Sequence, residues 1–209
     1  MSPEEKKKHD EREKQVLTFL TQSTEEINQA FSIIEGKSII NDRPKLILVF
    51  TALDIFYTYW QEYLGEKVSQ KVGFPSWIDS FCFVEENNAY QSNQCLKKVT
   101  SRQLYELRNS LVHFYGLRRK TDNINLMVIS DLKDKKYIDE LTQKFDEKTK
   151  EVNVILQPKF LRDLIWEGGI LMMEKMINNL KISPKKHVEG IKNIHTEVIE
   201  RGAARIEFE

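Results

Sequence analysis

The stretch that decides the fold is LILVFTALDIFYTYWQEYL, Leu46 to Leu64. Ile47, Leu48, Val49, Phe50, Leu53, Ile55, Phe56, Tyr59 and Trp60 make it apolar nearly all round. Its polar residues Thr51, Asp54, Thr58 and Gln61 fall three, four and three apart, which gathers them into one narrow seam of a helix. Asp54, Gln61 and Glu62 interrupt the run, so a buried core helix accounts for it better than a membrane span of about 20 apolar residues. Pro44 suits the first turn, after Asn41 and Asp42 as possible caps. A helix hydrophobic on so many sides has to be covered by others, and this one is read as the central helix.

The flanking sequence supplies those partners. Val16, Leu20, Ile27, Phe31 and Ile34 form one amphipathic stripe from about Glu13 to Glu35, and Gly36 is a stop. Phe74-Pro75-Ser76-Trp77 opens a short helix through Phe83, and Asn87-Asn88 carry turn chemistry. Ser101 to Tyr115 is a further helix ending at Gly116. Ile124 to Ser130 and Glu151 to Gln157 are β-branched runs that read as strands. Tyr137, Ile138, Leu141 and Phe145 give a short helix between them. Beyond Pro158 comes a long helix whose Gly168-Gly169 lets a neighbour approach closely, then a more polar helix from Pro184 to Arg201. The expected class is mainly α: one domain over 1–209, with a charged leader (1–12), an α/β insertion (124–157) and a tail (202–209). The insertion is expected as a small β-hairpin or a strand-helix-strand unit.

Composition bounds the function. Among 209 residues, 32 Lys and Arg balance 32 Asp and Glu, so any nucleic-acid contact must use a local patch. Eight Gly and five Pro disfavour a many-turned β-sandwich. Cys82 and Cys95 make neither a disulfide framework nor, by themselves, a structural zinc site. Met1 to Lys14 has no apolar core of a secretory signal, which leads to the expectation of a cytoplasmic protein with no membrane partner.

Most catalytic patterns are absent: no glycine-rich phosphate loop, HExxH, CxxC or GxSxG occurs. His9 sits in the charged leader and reads as solvated, and His187 and His195 read as surface residues of the last helix. His187 and His195 have no nearby cysteine or second histidine at metal-ligand spacing, and no metal and no cofactor are expected. His113 differs, because it lies in Leu107-Arg108-Asn109-Ser110-Leu111-Val112-His113-Phe114-Tyr115. On the plain structural reading Asn109 satisfies His113 one turn away, and Arg108 pairs with an acid such as Glu106 or Asp54. With nine Arg and four His in the chain, an Arg five before a His arises by chance in about one chain in six. Requiring Asn after the Arg and Tyr two after the His takes this well below about one in a thousand.

Arg-Asn-x3-His-x-Tyr, over about Tyr105 to Leu117, resembles the signature of HEPN domains, helical proteins found among prokaryotic toxins, phage-defence proteins and some eukaryotic ribonucleases. In that pattern Arg108, Asn109 and His113 take the catalytic places. The tyrosine form is similar to the toxin branch paired with nucleotidyltransferase antitoxins, where the residue at the position of Tyr115 can be adenylylated. This chain departs from that branch in its length and in the segment after the motif. The resemblance implies a HEPN-like helical bundle, metal-independent RNA cleavage, a homodimer with a composite site and a cognate antitoxin protein.

The residue types suit that chemistry. A histidine titrating near neutrality can move a proton to or from ribose and leaving oxygens, and an arginine fork can stabilise charge on a phosphate. On one helix Arg108 and His113 point about 140° apart, so two copies meeting across a twofold axis would assemble a site more readily than one. Lys97, Lys98, Arg102, Arg108, Arg118, Arg119 and Lys120 cluster around this helix with only Glu106 opposing them. Arg102, Arg118, Arg119 and Lys120 are the candidate RNA contacts; the plain reading is a solvated helix end. Asp54, in the seam of the central helix, is either an acid pairing with Arg108 or a solvent-facing residue. Two classes of function remain: an endoribonuclease of toxin or phage-defence type, and a non-catalytic HEPN-like module for RNA or nucleotide binding or dimerisation. In a third reading, a helical interaction protein, Arg108 and His113 are purely structural.

Overall fold

The computed structural model describes residues 2–35, 43–114, 124–128 and 152–201. Its elements in chain order are α1 (Pro3–Glu35), α2 (Arg43–Leu64), α3 (Gln70–Phe81), α4 (Asn88–Ser92), α5 (Ser101–Phe114), β1 (Ile124–Val128), β2 (Val152–Leu156), α6 (Pro158–Ile182) and α7 (Pro184–Ile194). A 3₁₀ turn at Leu96–Lys98 precedes α5, and a π turn at His195–Glu200 follows α7.

The protein is mainly helical and α2 is its hub, packing against α1, α3, α5, α6 and α7. Leu46, Val49, Ala52, Leu53 and Phe56 are buried, while Thr51 and Thr58 are exposed and Asp54 and Gln61 half-buried. The seam read from the sequence is therefore the strip of α2 that its neighbours leave least covered. Two glycines bring α6 close. A Cβ on Gly169 would lie 2.4 Å from the Phe56 ring, and one on Gly168 would lie 2.8 Å from Cys82 Sγ. Phe56 stacks on Trp77 with centroids 6.1 Å apart, so α2, α3 and α6 share one aromatic core.

Several boundaries differ from the periodicity reading. α1 begins at Pro3, ahead of the stripe that starts near Glu13, so residues 3–12 of the expected leader are helical. A capping box starts it: the Glu5 backbone N–H donates to Ser2 Oγ at 3.2 Å, and the Ser2 N–H donates to Glu5 Oε2 at 2.6 Å. Those bonds to Ser2 hold the exposed Glu5 carboxyl below the usual carboxylate range. α3 begins at Gln70, so Pro75 lies inside the helix rather than opening it. At its end Asn87, fully buried, accepts from the Tyr90 N–H at 3.0 Å and donates to Phe81 O at 3.3 Å and Leu164 O at 3.0 Å. One amide thus caps α4 and fastens α3 to α6.

β1 and β2 pair in parallel, with Ile124 opposite Val152 and Val128 opposite Leu156. A hairpin pairs its strands antiparallel, so these two segments do not form one. The helix expected around Tyr137 to Phe145, the stop at Gly116 and the tail at 202–209 lie outside the described residues. Among the described residues, no helix is long and apolar enough to cross a membrane.

Candidate functional site

The motif helix α5 is launched by a second capping box. The Gln103 N–H donates to Thr100 Oγ1 at 3.3 Å, and the Thr100 N–H donates to Gln103 Oε1 at 2.9 Å. Leu104, Leu107 and Leu111 then bury one face against the core, and α5 packs against α3 and α2. Ser101 Oγ donates to Asp79 Oδ2 on α3 at 3.0 Å, and the Tyr105 ring tilts against Phe74 at 5.5 Å. These contacts fix the rotation of α5 and so the direction in which Arg108 leaves it.

Arg108 reaches α2. Its Nη2 donates to Asp54 Oδ2 at 2.8 Å and its Nη1 to Asn109 Oδ1 at 3.0 Å, while buried Nε has no hydrogen-bond partner among the described residues. The Arg108 side chain is 13% exposed and that of Asp54 35%. Of the two roles read for Asp54, the structure shows the ion pair, formed at the half-covered edge of the seam. Asn109 Oδ1 is engaged with Arg108; the expected contact of Asn109 with the His113 side chain lies outside the described residues. Nearby, Tyr57 has its phenol pushed above the ordinary value, mainly by burial and then by Tyr105 and Asp54.

His113 lies within α5, but its side chain is outside the described residues, as are Tyr115, Arg118, Arg119 and Lys120. Helical geometry keeps Arg108 and His113 about 140° apart around α5. Arg102 is 69% exposed and its Nε lies 3.6 Å from Glu106 Oε1. It lines a 270 Å³ groove between α3 and α5 with Lys71, Val72, Pro75, Tyr105 and Glu106. The structure thus brings together Asp54, Arg108 and Asn109, and places Arg102 on an open rim of the same helix.

Compared with known proteins, the chain matches no protein family, no curated protein and no solved structure. The motif and its local geometry are therefore what bears on function.

Two histidines read as solvent-facing are buried. His9 is 6% exposed and His187 1% exposed, and they meet edge to face with centroids 5.6 Å apart. Sequence spacing missed them because α1 and α7 come from opposite ends of the chain and pack side by side. His195 is half-buried and its Nε2 lies 2.6 Å from Gln15 Oε1.

Proposed function

We propose that the chain is a metal-independent endoribonuclease of toxin or phage-defence type, with Arg108 and His113 as its catalytic residues. The observation that supports this most is the fixed guanidinium of Arg108, gripped by Asp54 at 2.8 Å and by Asn109 at 3.0 Å on the helix that also carries His113. Arginine side chains are flexible, and holding one in a single orientation is what transition-state stabilisation asks of it. Asn109 is on this reading a positioning residue for Arg108.

In the reaction, the ribose 2′-oxygen attacks the adjacent phosphorus while its proton passes to His113. The bond from phosphorus to the 5′-oxygen breaks, and that oxygen leaves with a proton from a histidine. The products are a 2′,3′-cyclic phosphate and a 5′-hydroxyl. DNA has no 2′-hydroxyl and is inert. Two copies of α5 meeting across a twofold axis supply two Arg and two His to one cleft, which answers the 140° divergence. Arg102, Arg118, Arg119 and Lys120 hold the RNA backbone, and a cognate antitoxin protein restrains the activity.

A second reading has its own support. An arginine only 13% exposed and paired with a carboxylate also fits a non-catalytic HEPN-like module in which Arg108 is structural. One experiment separates the two: purified protein, Arg108→Ala and His113→Ala are each incubated with total RNA beside single-stranded DNA. The ribonuclease reading expects wild-type cleavage of RNA alone, leaving cyclic phosphates, and loss of about 10²–10⁴-fold in either variant. Equal cleavage by all three proteins excludes this site as the catalyst.

A further inference from the structure

A polar cluster that shares no residue with the Arg108 site lies where α1 meets α7. His9 and Glu13 stand one turn apart on α1, and His187 faces them from α7. One donor atom from each, two imidazole nitrogens and a carboxylate oxygen, lie within 4.8 Å of one another. His187 Nε2 is 3.0 Å from Glu13 Oε1, and His9 Nε2 is 3.8 Å from Glu13 Oε2.

The hydrogen bonds around His187 decide what its ring presents. Nδ1 lies 2.9 Å from the backbone carbonyl oxygen of Met176. A carbonyl oxygen only accepts, so Nδ1 carries the hydrogen and donates it. In the neutral ring Nε2 is then a bare lone pair, facing a carboxylate oxygen at 3.0 Å. Two acceptors at that distance repel unless a positive centre lies between them. His9 Nε2, on a 93%-buried side chain (7% exposed), has no hydrogen-bond partner among the described residues and lies beside the same carboxylate. A single hydrogen between His187 Nε2 and Glu13 Oε1 would bridge that pair but leave buried His9 Nε2 without a hydrogen-bond partner among the described residues. One cation answers all three donors at once.

We propose that His9, Glu13 and His187 bind a divalent cation of the zinc class, which clamps α1 to α7. Two imidazoles and one carboxylate suit zinc better than calcium or magnesium, which prefer all-oxygen shells. A carbonyl behind the Nδ1–H of a ligating histidine is the usual device for fixing tautomer and ring direction. Tetrahedral ligation near 2.0–2.2 Å sets donors roughly 3.3–3.6 Å apart, so the His9 and Glu13 side chains close inward on loading. Ring rotation on a single helical turn supplies that movement. His9 also lines a 760 Å³ groove with Glu5, Lys8, Arg12, Lys185, Glu189 and Lys192.

The test is a titration of the full-length, tag-free, chelator-stripped protein with Zn²⁺, and separately with Co²⁺ followed by visible absorption. The expected result is one equivalent bound, the intense visible bands of four-coordinate cobalt and a higher melting temperature with zinc. His9→Gln and Glu13→Gln, checked for helicity by circular dichroism, lose more than about a hundredfold in affinity, beyond the ~10–100-fold typical of changes behind the ligands. His195→Gln binds as the parent does. The absence of stoichiometric binding overturns the site. So does undiminished binding by folded His9→Gln and Glu13→Gln, whichever way the ribonuclease assay falls.

Discussion

Arg108 Nη2 stands 2.8 Å from Asp54 Oδ2, and this contact joins the motif helix to the central helix. The pair sits at the half-covered edge of α2, where water still reaches about a third of the Asp54 side chain (35% exposed). It is neither an exposed ion pair of small effect nor a fully desolvated one.

Asp54→Ala should lower unfolding free energy by about 1–3 kcal/mol, less than the ~3–5 kcal/mol of a fully buried pair. Urea denaturation checks this. In a double-mutant cycle, Arg108→Ala should add little in the Asp54→Ala background, because both remove the same contact.

Arg108→Lys separates charge from shape. A lysine keeps the positive charge toward Asp54 but lacks the planar fork that also binds Asn109. Under the ribonuclease reading RNA cleavage falls at least ~10-fold, while the melting temperature moves less than in Arg108→Ala. A drop in melting temperature with unchanged cleavage would assign Arg108 to structure.

Gly169→Ala should destabilise the bundle by about 1–3 kcal/mol, since the new methyl meets the Phe56 ring at 2.4 Å and both are packed between helices. Phe56→Leu in the same chain should recover part of the loss, measured by thermal melts of the two single variants and the double.

Asn87→Ala strips a hydrogen bond from two buried carbonyls, Phe81 O and Leu164 O, and removes the α4 cap. The expected cost is about 2–4 kcal/mol from unsatisfied groups and the lost cap together. Hydrogen exchange should show the first loss of protection around 81–92.

Burial raises the phenol groups of Tyr57, Tyr59 and Tyr63 above their ordinary value of 10.0. The neutral form is the one the fold prefers. Their contribution is therefore intact below pH 10 and is lost as pH climbs past the unfolded value toward the folded ones. Denaturant midpoints should hold from pH 8 to about 9.5 and then fall. Ultraviolet titration should show these three ionising together with loss of helix rather than as exposed phenols.

The central helix was legible because nearly every residue from Leu46 to Leu64 is apolar and the exceptions align. The Gly168-Gly169 approach was legible because two adjacent glycines inside an apolar helix have few other uses. The start of α1 was not, since Pro3 to Arg12 bury little apolar surface and leave no stripe. The Ser2–Glu5 capping box was its real signal. Pro75 misled because proline usually opens helices, whereas here α3 accommodates it in its interior. In the site, Asp54 and Arg108 were paired in the sequence as one of two readings. The nearness of His9 to His187 was not readable at all, because no local spacing encodes a contact between opposite ends of a chain.

The same side-by-side packing of α1 and α7 sets a clock on synthesis. Glu13 and His187 are 174 residues apart, yet they touch. At ~5–20 residues per second a ribosome needs roughly 9–35 s to make the second after the first. Through that interval the buried face of α1 lacks its α7 partner, and α2 is the earlier-made element that packs against it most. Early pairing of α1 with α2 then covers part of that face until α7 is made and packs against it.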